Sequence, residues 1–366
     1  MLLAGAGCTT IGDRLAAAGD VRAVAQAAAD YYVNDGGDDT CAVGVVRGDD
    51  GEPVFACAGG ADEHSMYRIA SLSKLFLAPV ALKLHKEGRI DLDRPVSAYS
   101  RLELPPECDR VTLRDLLENR SGLPREFLDP FNPIDMFTAF RCGFTGSHIY
   151  SGFDSRESFA REIRRPCWRK SMRDGGSVYS NMGFGLLGMT LEDALGRDIE
   201  TILADELVRP CGLADTTYFP CGEQTNRLTR ACAGHLPWLV RRRHEVPDHR
   251  LGDALRASGG LFSSVSDCAM LFRSCWPMVD AHIRERPLET CPDDAVCGPF
   301  RVHVLRSGRR IAYRAGMIYG GASFVGYSPS TRTVVVVLRN VTSWPDRRGF
   351  EIMERIEEVA CPAPSR

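Results

Sequence analysis

The chain has 366 residues, 44% hydrophobic and 25% charged, with a formal net charge of -3, a composition that excludes disorder and collagen-like repetition and supplies ample core material. No run approaches the ~18 apolar residues that span a bilayer. The near-neutral balance argues against a nucleic-acid binder, which needs a strongly basic face; Arg241-Arg242-Arg243, the one basic cluster, reads as a solvated loop.

The first ten residues, MLLAGAGCTT, carry an apolar run into Gly7-Cys8. Two readings stand: the tail of a bacterial lipoprotein signal, with a lipid on Cys8 as the only membrane contact, or a plain N-terminal tail. An alanine-rich helix is expected from Leu15 to Tyr32. Cys41 to Arg47 and Pro53 to Ala58 read as a hairpin about an Asp-Gly turn. Cys41 and Cys57 are symmetric about that turn, which permits a cross-strand disulfide or two small buried hydrophobes. The run Ser71 to Glu87 is apolar on most sides and stops at Gly88, as a buried helix would, with a kink expected at Pro79. Helical pieces follow at Leu113 to Glu118, Arg156 to Arg164, Phe184 to Leu195 and Ile199 to Val208. Phe300 to Leu305, Arg310 to Ala315, Ala322 to Tyr327 and Thr333 to Leu338 alternate as an antiparallel meander, and Phe350 to Val359 has helical spacing.

These elements predict an α+β fold: an antiparallel sheet flanked by N- and C-terminal helices, with an inserted all-helical domain. Residues 15–90 and 254–366 would form the α/β domain, 91–253 the helical domain and 1–14 a tail. The acidic doublets Asp38-Asp39 and Asp293-Asp294 lie among turn formers and are expected in solvated loops. His64 and His303 lie in no recognisable motif and read as ordinary surface or core residues.

Of the 45 basic residues only Lys74, Lys83, Lys86 and Lys170 are lysine. A lysine at a special position is therefore informative, because a desolvated lysine can lose its proton and an arginine cannot. Ser71 and Lys74 lie three apart at the start of the buried helix and share a face, where backbone N-H groups are unpaired. By itself this pairing is a weak signal. Tyr179 and Asn181 flank Ser180 on an extended segment, point the same way and could face a cleft, although on this segment alone Ser180 or Asn181 as a simple helix cap is the favoured reading. Arg314 shares a strand face with Arg310 and Ala312, either exposed or facing a cleft. Gly316 would let a substrate backbone approach closely. The 14 cysteines form no C-x-x-C pair, and neither H-E-x-x-H nor a G-x-S-x-G elbow occurs, so no metal or other cofactor is expected and a Ser-His-Asp hydrolase is disfavoured.

The motifs RIASLSKLFLA, LLENRSGLP, YSNMGFGLLG, SGGLFSSVSD and RAGMIYGGASFVGYSP occur in that order. Together they resemble the serine β-lactamase and penicillin-binding-protein superfamily, most closely its class C β-lactamase, esterase and D-aminopeptidase branch, over about Cys41 to Asn340. The resemblance implies Ser71 as acylated nucleophile, with Lys74 and Tyr179 moving its proton. Asn181 would hold Lys74 or the substrate amide, and the N-H groups of Ser71 and Met317 would form an oxyanion hole. It also implies action on cell-wall peptides and an envelope location. The third motif usually opens with lysine or histidine; here Arg314 suits a substrate carboxylate better than proton transfer. The aromatic and arginine-rich stretch Pro124 to Gly176 would form one cleft wall. Three functions are open: a serine hydrolase of an ester, amide or D-amino-acid peptide; a transacylase using the same acyl-enzyme; and a non-catalytic binding protein, against which Ser71, Lys74 and Tyr179 count. The partner expected is a small-molecule or peptide substrate.

Overall fold

The computed structural model describes residues 10–34, 37–48, 51–125, 155–174, 177–234, 243–245, 250–274, 288, 291–343 and 346–360. Cys8, Arg241-Arg242 and most of the stretch from Pro124 to Gly176 lie outside these residues. Among the described residues, seven strands form one antiparallel sheet: β1 Cys41–Arg47, β2 Val54–Ala58, β7 Val296–Cys297, β8 Phe300–Val304, β9 Arg310–Ile318, β10 Gly321–Ser328 and β11 Thr333–Arg339. Their order is β2-β1-β11-β10-β9-β8-β7. A second pairing joins β3 Tyr67–Arg68 to β6 Phe262–Ser263.

The alternating side chains of β11 explain why this sheet is covered on both faces. Val335 and Val337 join one core with Tyr32, Phe324, Ile352 and Ile356, while Val334, Val336 and Leu338 join a larger one with Phe76 and Leu77. A run of valines that is buried throughout is what a central, two-sided strand requires, each side chain contributing ~1.5–3 kcal/mol. Helices α1 Ile11–Ala16, α2 Val21–Asn34 and the C-terminal helix Asp346–Ala360 cover the first face. The larger core behind the second face takes in α3 Ser73–Lys86, α4 Leu113–Leu117, α5 Arg156–Glu162, α6 Pro166–Asp174, α7 Asn181–Leu195, α8 Ile199–Leu203, α10 Asp253–Gly259 and α11 Val265–Ser274, of which α11 packs directly on the sheet; Cys211 of the one-turn α9, Arg209–Cys211, packs against the same core. The C-terminal helix is α12. The fold is therefore the expected α+β arrangement of antiparallel sheet and helical region.

Several local expectations are corrected. The first helix is two, because Asp20 accepts the N-H of Ala23 at 2.8 Å and starts α2 afresh. Cys41 stands opposite Ala58 and Cys57 opposite Ala42. That one-residue slip turns the two side chains to opposite faces of the sheet, and both thiols are free. The helix at Ile199 passes into a π-turn at Ala204–Val208. The region expected to be all helical also holds a small hairpin, β4 Cys232–Gly234 with β5 Arg243–Glu245. Helix α3 runs from Ser73 to Lys86 with Pro79 in its interior, as the sequence reads. Asp38 is buried, not solvated: both its oxygens accept from Arg339, at 2.5 and 3.0 Å. Asp293 and Asp294 are exposed as expected. His64 is half-exposed on the carboxylate of Asp215, and His303 stacks on Phe350.

Candidate active site

Ser71 lies in a 3-10 turn, Ala70–Leu72, that enters α3. The turn is pinned from three directions: Ile69 N-H donates to Leu261 O, Ser323 Oγ donates to Ile69 O, and Ser73 Oγ donates to Ala70 O while accepting the N-H of Leu261. This over-determination holds Ala70 at φ 47, a left-handed conformation that costs a residue with a Cβ about 1–3 kcal/mol. Strand β9 runs directly behind the turn. A Cβ on Gly316 would lie 2.8 Å from Ile69 O and 2.9 Å from Ser71 N. Gly316 thus leaves room for the chain's own backbone, a cause the sequence did not show.

Lys74, three residues on and fully buried, donates to Ser71 Oγ at 3.3 Å, to Asn181 Oδ1 at 2.7 Å and to Ser258 O at 2.5 Å. Three acceptors suit the three protons of an ammonium. Tyr179 Oη lies 2.7 Å from Ser71 Oγ and donates to Asn181 Oδ1 at 3.0 Å. The cap reading and the cleft reading of this segment both hold, on different residues. Ser180 caps α7 by accepting the N-H of Gly183 at 2.8 Å, and its neighbours Tyr179 and Asn181 reach Lys74 and Ser71.

Two positioning groups escaped the sequence reading. Buried Asn119 accepts the N-H of Ser180 at 2.9 Å, its carbonyl accepts the N-H of Val178, and its amide donates to Gly298 O. It is the asparagine of LLENRSGLP, and that motif was its only signal. Ser258 acts through a backbone carbonyl, which carries no residue signature beyond the motif SGGLFSSVSD.

Arg314 is 2% exposed, so the exposed-strand reading fails. Its guanidinium lies 4.8 Å from the centre of the Tyr179 ring, while its Nε and Nη2 have no partner among the described residues. Burial pushes the Tyr179 phenol up, but the charges of Lys74 and Arg314, with hydrogen bonds from Lys74 and Ser71, outweigh it and hold the phenol below its ordinary range. Strand β8 covers β9 only as far as Tyr313; beyond it, among the described residues, β9 pairs with β10 alone. Ile318 and Gly321 close a two-residue turn, so alternation directs the Met317 N-H to the uncovered edge. A cavity of 160 Å³ opens there, lined by Ser71, Tyr179, Asn181, Arg314, Met317 and Leu255, among others. The structure thus brings together all seven residues singled out in the sequence.

Residues 32–359 match the family described as Beta-lactamase. The chain is 28% identical over 217 residues to the D-alanyl-D-alanine-carboxypeptidase/endopeptidase AmpH of Escherichia coli, a match covering 56% of this chain and 47% of that protein. The chain therefore spans about half the length of this curated relative. Among solved structures it is similar to a beta-lactamase from a Sulfitobacter species, with a TM-score of 0.70, 16% identity and coverage of 93% of this chain and 98% of the other. It is also similar to the D-amino acid amidase from Ochrobactrum anthropi complexed with L-phenylalanine amide, with a TM-score of 0.68, 18% identity and coverage of 93% and 100%. With the family matched over residues 32–359 and the fold shared over 93% of the chain, this protein belongs to the beta-lactamase family.

Proposed function

We propose that the protein is a serine hydrolase that forms an acyl-enzyme on Ser71 from an ester, an amide or a D-amino-acid-containing peptide. The observation that carries this reading is the 2.7 Å contact between Ser71 Oγ and Tyr179 Oη, with Lys74 at 3.3 Å from the same oxygen. Ionised Tyr179 takes the Ser71 proton as Oγ attacks the carbonyl carbon. The N-H groups of Ser71 and Met317 hold the oxyanion of the tetrahedral intermediate, each such donor being worth ~10²–10³ in rate elsewhere. Tyr179 then delivers the proton to the leaving group, and water attacks the acyl-enzyme by the same route.

The unpartnered edge of Arg314 supports a substrate that carries a carboxylate, since Nε and Nη2 form the side of a guanidinium that binds a carboxylate bidentately. Arg339 uses that same edge on Asp38. The carboxypeptidase and amidase relatives agree with a small peptide or amide substrate.

Intact-protein mass spectrometry after incubation with a fluorophosphonate tests the reading, on the wild type and on Ser71→Ala. One adduct is expected on the wild type and none on the variant. An adduct that persists in Ser71→Ala, or its absence from both proteins, overturns the proposal. A parallel incubation with a penicillin reports whether that acyl-enzyme persists.

A further inference from the structure

Among the described residues, three cations approach the Tyr179 ring. Beside Arg314 at 4.8 Å and Lys74 Nζ at 5.0 Å, the guanidinium of Arg125 lies 5.4 Å from the ring centre. Arg125 is exposed where the others are buried. It lines the same cavity and is tethered to the site by its backbone, whose carbonyl accepts the Asn181 N-H at 2.9 Å. The side chains facing Tyr179 come from α3 (Lys74, reached with Ser71), from α7 (Asn181) and from β9 (Arg314). Arg301 on β8 lines the same cavity with Asp294 as its ion-pair partner, and among the described residues that line it there is no carboxylate.

We infer that Arg125 is a positioning residue that acts through Tyr179, a third cation that keeps the phenol ionisable when an anionic substrate occupies Arg314. The inference rests on the acyl-enzyme reading of Ser71 and Tyr179. A carboxylate bound to Arg314 would cancel much of that guanidinium's field at Tyr179, just when the phenolate must accept the Ser71 proton. A cation at the mouth of the cleft, outside the carboxylate's grip, leaves part of the field standing. At this separation a charge near the protein surface shifts a neighbour by about one pH unit.

The test is a spectrophotometric titration of tyrosinate in the full chain, with a Tyr179→Phe reference subtracted to isolate Tyr179. It is repeated in Arg125→Gln and Arg125→Lys, each with its own Tyr179→Phe reference. The Tyr179 midpoint is expected to rise by about one unit in Arg125→Gln and to return in Arg125→Lys. Either substitution leaves the backbone carbonyl that holds Asn181, and thermal melting checks the fold. An unmoved midpoint in Arg125→Gln, or a rise that Arg125→Lys does not reverse, overturns the inference. Because the titration needs no turnover, its failure is distinct from a missing fluorophosphonate adduct on Ser71, which would sink the acyl-enzyme reading instead.

Discussion

Arginine at position 314, where the resembled motif has lysine or histidine, changes which groups near Ser71 can lose a proton. Its charge is permanent over the working range, so its pull on the Tyr179 phenol does not fade as the pH rises. The proposed base must be deprotonated to act, and a lowered phenol reaches that form at lower pH. Removing the cation raises the Tyr179 value, so Arg314→Ala should move the acid limb of the kcat/KM profile to higher pH and reduce the rate below that limb by at least tenfold. Arg314→Lys should keep the acid limb and add a decline above pH ~10, where a lysine ordinarily loses its charge. A profile in Arg314→Ala that is lowered uniformly, with no displaced limb, would count against Tyr179 as the base. Ser71, Lys74, Tyr179 and Asn181 were legible because each sits in a short motif whose chemistry depends on residue type. Asn119 and Ser258 were not, since a buried amide holding a loop and a carbonyl holding an ammonium look like many others in one dimension.

Helix α7 shows how an element can be recognised in sequence while its reason stays hidden. YSNMGFGLLG reads as a helix start with too many glycines, each costing up to ~1 kcal/mol against alanine. The tertiary cause is close packing on α10: a Cβ on Gly185 would lie within bonding range of Ala254 O, and one on Gly188 would collide with the side chain of Ala257. Helix α10 carries Ser258, whose carbonyl holds Lys74. Gly185→Ala should therefore force the helices apart, destabilise the protein by ~1–3 kcal/mol in urea unfolding and lower fluorophosphonate labelling of Ser71. Unchanged stability and labelling would mean that the contact does not position Lys74. The hairpin of β1 and β2 teaches a related lesson. Its existence follows from the Asp-Gly turn, but its register does not, and a slip of one residue separated Cys41 from Cys57 because side chains alternate with period two.

Across the whole molecule, chain segments 300 residues apart are joined at Arg339. The guanidinium, 1% exposed, spans both oxygens of Asp38 and lies 4.2 Å from the Tyr32 ring centre. Burial alone would lower its value, but the Asp38 hydrogen bonds and charge outweigh that and raise it. Next to it, Asn340 accepts the N-H groups of Asp39 and Thr40 and donates to Arg230 O. Asp38→Ala leaves a buried guanidinium unpaired and should cost ~3–5 kcal/mol in equilibrium unfolding. Combining Asp38→Leu with Arg339→Met should recover most of that loss, because the desolvation penalty goes with the charges. No recovery in the double variant would show that the pair does more than neutralise itself.

Sequence alone determined the α+β class, the meander, the two terminal helical segments and the four residues that meet at Ser71, because periodicity, turn chemistry and short motifs are properties of neighbouring residues. Only the tertiary structure decided that Asp38 is buried, that Gly316 makes room for the chain's own backbone, and that Lys74, Arg125 and Arg314 converge on Tyr179. Those facts depend on distances between segments far apart in the chain, and the partners responsible, a carbonyl, a ring face and a buried guanidinium, gain their energies only when packing removes water from between them.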